Sequence, residues 1–337
     1  MTRSATTVLS RSVRIREFGG PEVLRIEEVA IPAPGPAQVR LRIRAIGLNR
    51  TEATFRAGRS AVLPSLPSQI GFEAVGEIEA LGPDVDGFAP GEPVGLIPAY
   101  SAGEYGLYGE VALAPARSLV RLPADTAWET AAATWVAFAT AWGGMIDLAG
   151  LSSGQVVLIP AASSSVGLAA IQVARRVGAV PVALTRTGTK AAALRDAGAE
   201  LVIASQEQNV VAEVQRLTGG KGAELIFDPV AGPGFGALVE ATASGGTLIV
   251  YGALGGAVAN VPVMPLLGRG LTLRGFGLTT MTRSDKNLAA LKHFVEDGLA
   301  AGALRPTIAK TFRFDEIVEA HRYLEAGEQI GKIVVTV

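Results

Sequence analysis

The chain has 337 residues, with 30 Lys and Arg against 31 Asp and Glu, a formal net charge of −1, two His and no Cys. Without cysteine there is no disulfide framework, no thiol nucleophile and no thiolate metal site. The balanced charge speaks against an extended nucleic-acid surface, which needs concentrated Lys and Arg, and two histidines leave little room for a His-based metal cluster.

The composition, 49% hydrophobic with 41 Gly and 19 Pro, is that of a soluble globular protein. At about 150 residues per domain, the length predicts roughly two domains. No apolar run reaches the roughly 18 residues needed to span a membrane. The segment Met1 to Arg14 lacks the apolar core of a secretory leader. Cytoplasm, with no membrane and no nucleic-acid partner, is the expectation.

The first 130 residues are strand-rich and broken by turns. Val23 to Glu27 and Gln38 to Ile46 alternate apolar and polar side chains with period two. Pro32, Pro34, Gly35 and Pro36 punctuate the loop between them. Further short strands are predicted over Glu73 to Leu81, Pro93 to Pro98 and Glu110 to Ala114. This regime suits a small, partly open β-barrel.

The pattern changes near residue 126. Thr126 to Ala149 is Ala-rich and helical in character, and Gln155 to Pro160 has the run of a buried parallel strand. Val166 to Val177 reads as a helix, Val180 to Leu184 as a strand and Lys190 to Ala197 as a helix. Strands over Leu201 to Ile203, Glu224 to Asp228, Thr247 to Tyr251 and Leu271 to Arg274 continue the series. Alternating strands and helices predict βαβ units around a parallel sheet, hence a doubly wound α/β domain. Two tail helices, Asp285 to Ala301 and Phe314 to Ala326, precede a last strand, Ile333 to Val337. The expected division is 1–130, 131–272, and a segment 273–337 that returns to the first domain.

The segment Val157 to Gly167 carries the most chemistry. A turn of small residues, Ala161 to Ser165, lies between a strand and a helix. There the backbone can approach a pyrophosphate closely, and the helix offers free N–H groups. Gly167 alone survives from a glycine-rich fingerprint, and Ser163, Ser164, Ser165 and Val166 are the candidate phosphate contacts. About 20 residues later a NAD site shows an acid for the ribose hydroxyls. Here the segment is Leu184 to Lys190, with no acid. Arg186 and Lys190 suit the 2′-phosphate of NADP(H), with Thr185 or Thr187 adding a hydroxyl.

With these segments in place, the chain resembles the medium-chain dehydrogenase/reductases, in their zinc-free quinone oxidoreductase (zeta-crystallin-like) branch, over nearly its whole length. The matching stretches are Ala45 to Asn49, Gly71 to Gly76, Thr140 to Trp142, the turn 161–167, Thr218 to Gly222, Phe227 to Val230 and Gly331 to Ile333. The resemblance implies a GroES-like catalytic domain, a Rossmann domain and a site in the cleft between them. It also implies a homodimer formed by strand-edge pairing. Zinc-dependent relatives place Cys near Asn49 and His before Glu73. Here those positions hold Asn49 and Phe72, so no zinc is expected, and with it goes the Lewis acid of alcohol oxidation. Glu73 is then expected in a structural ion pair or hydrogen bond. His293 and His321 are expected in structural or surface roles.

The implied reaction is hydride transfer from NADPH to a quinone or an α,β-unsaturated carbonyl acceptor. Asn49 and Thr140 are the implied catalytic positions beside the nicotinamide, with the Asn49 amide available to the acceptor or the ribose. Tyr251, Gly252, Ala253 and Leu254 would lay backbone along the nicotinamide. Phe276, Gly277, Leu278 and Lys332 match further cofactor-facing positions, although Lys332 equally reads as a solvated strand-end charge. Ser205 stands where relatives carry Tyr near the adenosine phosphate. Tyr100, Tyr105, Tyr108 and Trp135 are candidate pocket aromatics. Two alternatives stay open: an enoyl-thioester reductase, for which Ser60 stands where a proton-donating Tyr is usual, and a non-catalytic NADPH- or RNA-binding protein.

Overall fold

The computed structural model describes residues 6–337, so the first five residues of the leader reading lie outside the described residues. The chain divides into two units, residues 6–136 with Pro306–Val337, and Ala137–Arg305.

The first unit contains eight leading strands: β1 (Val8–Ile15), β2 (Arg25–Ile31), β3 (Gln38–Gly47), β4 (Ser68–Gln69), β5 (Ala74–Leu81), β6 (Pro93–Leu96), β7 (Val111–Pro115) and β8 (Leu119–Arg121). Strand β3 shows why. Val39, Leu41, Ile43 and Ala45 point into the core, while Arg42 and Arg44 pair outward across the ladder with Glu79 at 3.2 Å and Glu77 at 2.9 Å. Helices α1 (Arg50–Arg56) and α2 (Trp128–Ala132) belong to this unit, and α3 (Trp135–Trp142) starts at its end and runs on into the second. The single helix expected over Thr126 to Ala149 is thus broken at Ala133 and Thr134, and it ends in a π-helical turn, Gly143–Leu148.

The second unit carries β9 (Val156–Ile159), β10 (Val180–Thr185), β11 (Leu201–Ala204), β12 (Ala223–Asp228), β13 (Thr242–Val250) and β14 (Thr272–Gly275). All pair in parallel, in the order β11-β10-β9-β12-β13-β14. That is the doubly wound dinucleotide-binding order, with its switch point between β9 and β12. Helices α4 (Ser165–Arg176), α5 (Ala191–Asp196), α6 (Val210–Thr218) and α7 (Phe235–Ala241) fill the crossovers, and α8 (Val263–Gly268), α9 (Leu278–Met281) and α10 (Asp285–Ala300) follow. Leu158, Val182, Ile203, Ile226 and Leu248 from five strands build the core against Val214, Phe235 and Leu238.

The segment 273–305, expected to return with the tail, packs in the second unit instead. The Arg176 guanidinium lies 4.2 Å over the Phe294 ring, and Gln172 exchanges hydrogen bonds of 3.0 and 2.7 Å with the Arg305 backbone. The return begins at Pro306. It brings β15 (Ile308–Arg313), α11 (Ile317–Ala326) and β16 (Lys332–Thr336) to the first unit, where β16 lies antiparallel to β3 with Val334 opposite Gly47. The resulting sheet runs β15-β16-β3-β5-β6-β8, β7 also pairs with β3, and β2-β1-β4 form a second sheet. A partly open β-barrel and a doubly wound parallel sheet are therefore both present.

Candidate functional site

The β9–α4 turn is the first part of the site. Ser164 is the N-cap of α4, and its Oγ accepts from the Gly167 N–H at 3.0 Å. This leaves its hydroxyl proton free to donate. Ala161 adopts φ 49°, a left-handed conformation that turns the chain sharply out of β9. Gly167 is set by space: a Cβ there would lie 2.5 Å from the Ala162 carbonyl oxygen. The helix start is thus drawn against the turn, and Ser165 and Val166 carry its first N–H groups. Such a terminus favours an anion.

The second part is the loop after β10. Thr185 ends the strand, and Arg186 is exposed and forms no ion pair among the described residues. The Lys190 ammonium lies 3.3 Å from Ser163 Oγ, so it joins the two segments that the sequence marks for phosphate. The Ser205 N–H donates to the Thr185 carbonyl at 2.8 Å, which brings the end of β11 alongside. One residue here was not foreseen. The Glu207 carboxylate accepts from the Gly188 N–H at 3.1 Å, inside the same loop.

The remaining second-unit candidates lie on tightly held backbone. Asp228 is fully buried and accepts from the Val230 and Ala231 N–H groups at 2.9 and 2.8 Å. Its burial pushes the carboxyl pKa up, against the pull of those two donors. The loop so fixed receives the Leu254 N–H on Pro229 at 3.0 Å, and Tyr251 stacks on Phe227 with centroids 4.1 Å apart. The Phe276 N–H donates to the Val250 carbonyl at 2.9 Å, and Gly277 caps α9. Thr140 is buried on α3.

In the first unit, a compact polar cluster centres on Asn49. Lys332 Nζ donates to Asn49 Oδ1 at 2.6 Å and to Glu73 Oε2. Asn49 Nδ2 donates to the Gly47 carbonyl at 3.0 Å and to Glu73 Oε2 at 3.2 Å, and the Val136 N–H reaches Glu73 Oε1 at 2.8 Å. The chemistry orients the amide, because an ammonium only donates and a carboxylate only accepts. Both Asn49 amide protons are therefore committed, and the expectation that the amide is available to an acceptor is corrected. Lys332 is 1% exposed, which also corrects its reading as a solvated strand-end charge. Glu73 forms the expected ion pair. Gly47 makes the cluster possible, since a Cβ there would lie 2.8 Å from both Glu73 Oε2 and Lys332 Cε.

A second buried network adjoins it. Asn49 stands at the N-cap of α1, and Glu52, three residues on, accepts from the Asn49 N–H at 2.6 Å, a capping-box contact. Glu52 also accepts from the Phe72 N–H at 2.8 Å and the Tyr108 hydroxyl at 2.6 Å. Burial pushes its pKa up to about 7 against the pull of those donors. The Tyr108 oxygen in turn lies 3.3 Å from His321 Nε2. Burial lowers the His321 pKa to about 3.

Tyr108 is therefore a member of a buried network. Trp135 is 2% and Tyr100 7% exposed, so both belong to the core. Tyr105 meets Tyr100 edge-on and accepts a bond from Gln38 at 2.9 Å. His293 is a surface residue paired with Asp297. Among the described residues, no three His, Asp or Glu side chains converge to hold a metal ion. No described helix is long and apolar enough to cross a membrane.

Residues 35–124 match the alcohol dehydrogenase GroES-like domain, and residues 165–295 match the zinc-binding dehydrogenase family. A quinone oxidoreductase of Pseudomonas aeruginosa is 31% identical over 97% of this chain and 99% of its own. The chain belongs to the medium-chain dehydrogenase/reductase superfamily, in its quinone oxidoreductase branch. A 2-haloacrylate reductase of a Burkholderia species is also 31% identical, over 95% of this chain and 97% of its own. Two crystal structures are also similar. One is of an NAD-dependent alcohol dehydrogenase, 33% identical, with TM-score 0.87 over 97% of this chain and 99% of that one. The other is of Escherichia coli quinone oxidoreductase complexed with NADPH, 25% identical, with TM-score 0.90 over 97% of this chain and 100% of that one. The first unit is then the GroES-like domain and the second the Rossmann domain of the superfamily.

Proposed function

We propose that this chain reduces a quinone or an α,β-unsaturated carbonyl compound with NADPH. The observation that carries the cofactor choice is the meeting of Lys190 with Ser163 at 3.3 Å, which sets a cation beside the phosphate-type turn. Ser163, Ser164, Ser165 and Val166 would hold the pyrophosphate. Thr185, Arg186, Lys190 and Ser205 would hold the adenosine 2′-phosphate end. Thr140, Tyr251 to Leu254 and Phe276 to Leu278 would line the nicotinamide end. When bound, NADPH supplies hydride.

The chain's own contribution is binding and orientation. Asp228 fixes the loop that carries Tyr251 to Leu254 by holding two backbone N–H groups. In the first unit, Lys332 and Glu73 lock the Asn49 amide. A hydrogen bond to the acceptor's oxygen must therefore come from a group other than the Asn49 N–H. The names of the relatives support a conjugated acceptor, since quinones and haloacrylates both set a C=C bond beside a carbonyl group. One similar structure is named for NAD and an alcohol. Against that reading here stand Arg186 and Lys190 in the segment where NAD sites carry an acid.

The test is a panel of quinones, enones, enals and enoyl thioesters, each assayed with NADPH and NADH. The expected result is NADPH consumption with a quinone or enone, faster than with NADH. Arg186→Ala should weaken NADPH binding about tenfold, as loss of a charge-assisted bond does, and spare NADH. No NADPH oxidation with any acceptor, or a preference for NADH, refutes the proposal.

We also propose a homodimer through β14. This strand pairs only with β13 among the described residues, all four of its residues are exposed, and Val258, Val263, Met264 and Leu267 lie open nearby in sequence. An unprotected edge with apolar flanks invites pairing with a second copy.

A further inference from the structure

We infer that Glu207 is a specificity-determining residue that limits how strongly this chain selects a 2′-phosphate-bearing nucleotide. The inference rests on the proposed NADPH site and deepens it. The loop Thr185 to Lys190 collects groups suited to a phosphate: two threonine hydroxyls 3.0 Å apart at Thr187 and Thr189, the exposed Arg186, and Lys190. Into this loop the end of β11 delivers a carboxylate. Backbone bonds fix the approach, from the Ser205 N–H to the Thr185 carbonyl at 2.8 Å and from the Gln206 N–H to the Arg186 carbonyl at 3.0 Å. A turn then points Glu207 back, where Oε1 accepts from the Gly188 N–H at 3.1 Å. The other oxygen is close as well, since a Cβ on Gly188 would lie 3.3 Å from Glu207 Oε2.

The carboxylate thus does two opposed things. It anchors the Gly188–Lys190 turn, which carries Lys190 toward Ser163. It also occupies a backbone donor that a phosphate oxygen would otherwise take, and it places a negative charge beside the dianion. A like charge disfavours binding through Coulomb repulsion. Glu207 is exposed, so water and salt screen this repulsion to a modest size.

Glu207→Gln separates the two roles, because the amide oxygen still accepts from the Gly188 N–H while the charge is gone. Dissociation constants would be measured by calorimetry for NADPH, NADH, adenosine 2′,5′-bisphosphate and adenosine 5′-monophosphate, on wild type and variant. The expected result is about threefold tighter binding of NADPH and the bisphosphate, a size typical of one exposed charge pair. NADH and the monophosphate should be unchanged, and the gain should shrink at high salt. Unchanged or weaker binding of the phosphate-bearing pair overturns the inference, as does equal tightening of all four. A wild-type chain that binds neither NADPH nor the bisphosphate overturns the cofactor reading itself, and the inference with it.

Discussion

The Glu52–Tyr108–His321 network makes a pH prediction whose sign follows from burial. Glu52 has a folded pKa of about 7 against an ordinary 4.5. Between those values the folded chain holds a proton that the unfolded chain has lost. Stability from Glu52 is therefore full below pH 4.5 and falls as pH rises toward 7. His321 runs the other way, with a folded pKa of about 3 against 6.5. Its contribution is full above pH 6.5 and is lost as pH falls toward 3. Between pH 4.5 and 6.5 both groups act, each with a slope of about 1.4 kcal/mol per pH unit and opposite sign. Their contributions cancel over that window in the wild type. Glu52→Gln leaves the His321 slope alone, so stability should rise with pH by about 1.4 kcal/mol per unit relative to wild type. His321→Gln leaves the Glu52 slope, so stability should fall by about as much per unit. Urea unfolding across pH 4.5 to 6.5, followed by tryptophan fluorescence, reads both. The slope is the readout, because each variant also shifts the level through lost packing. Variants whose profiles run parallel to the wild type refute the reasoning.

Two further predictions concern charge and assembly. Lys332→Met leaves Glu73, which is fully buried, with only two N–H donors, so unfolding free energy should drop by about 3 kcal/mol. Adding Glu73→Gln should restore at least half of that, and losses that simply add within about 0.5 kcal/mol would show that the pair is not coupled. For assembly, light scattering should give a dimer mass for the wild type. A proline at Leu273, in the middle of β14, should reduce it to the monomer mass while NADPH still binds, and a monomeric wild type would rule out the edge pairing.

The contrast between the two lysines assigned to the cofactor shows what a sequence can and cannot place. The β9–α4 turn, the loop after β10 and the parallel sheet were legible because their signals are local: a strand, a run of small residues and a helix follow one another within 20 residues or so. Lys190 lies in such a stretch, and the structure brings it to Ser163. The partners of Lys332 lie 283 and 259 residues away, and only the registers of β16 and β5 on β3 bring Asn49 and Glu73 to it. Glu207 lies only 19 residues from Gly188, but a helix and a strand intervene, and it is the pairing of β11 with β10 that brings the two together.

Some of the missed features did leave a local trace. Asn49 and Glu52 have the spacing of a capping box, which marks the start of α1 and gives the acid a backbone to hold. Ile333, Val334 and Val335 form an unbroken apolar run at the head of β16, the pattern of a strand buried on both faces. A lysine at the start of such a strand cannot reach solvent cheaply and must find a carboxylate inside. Strand β3 lies between β16 and β5, so an acid at the head of β5, beside the end of β3, comes within reach of the head of β16. Glu73, just before β5 and fully buried, meets that condition, whereas the acids further along β5, Glu77 and Glu79, pair with Arg44 and with Arg40 and Arg42. The buried charge balance of this domain thus follows from burial pattern and residue supply together, and it is this balance that commits Asn49 before any ligand arrives.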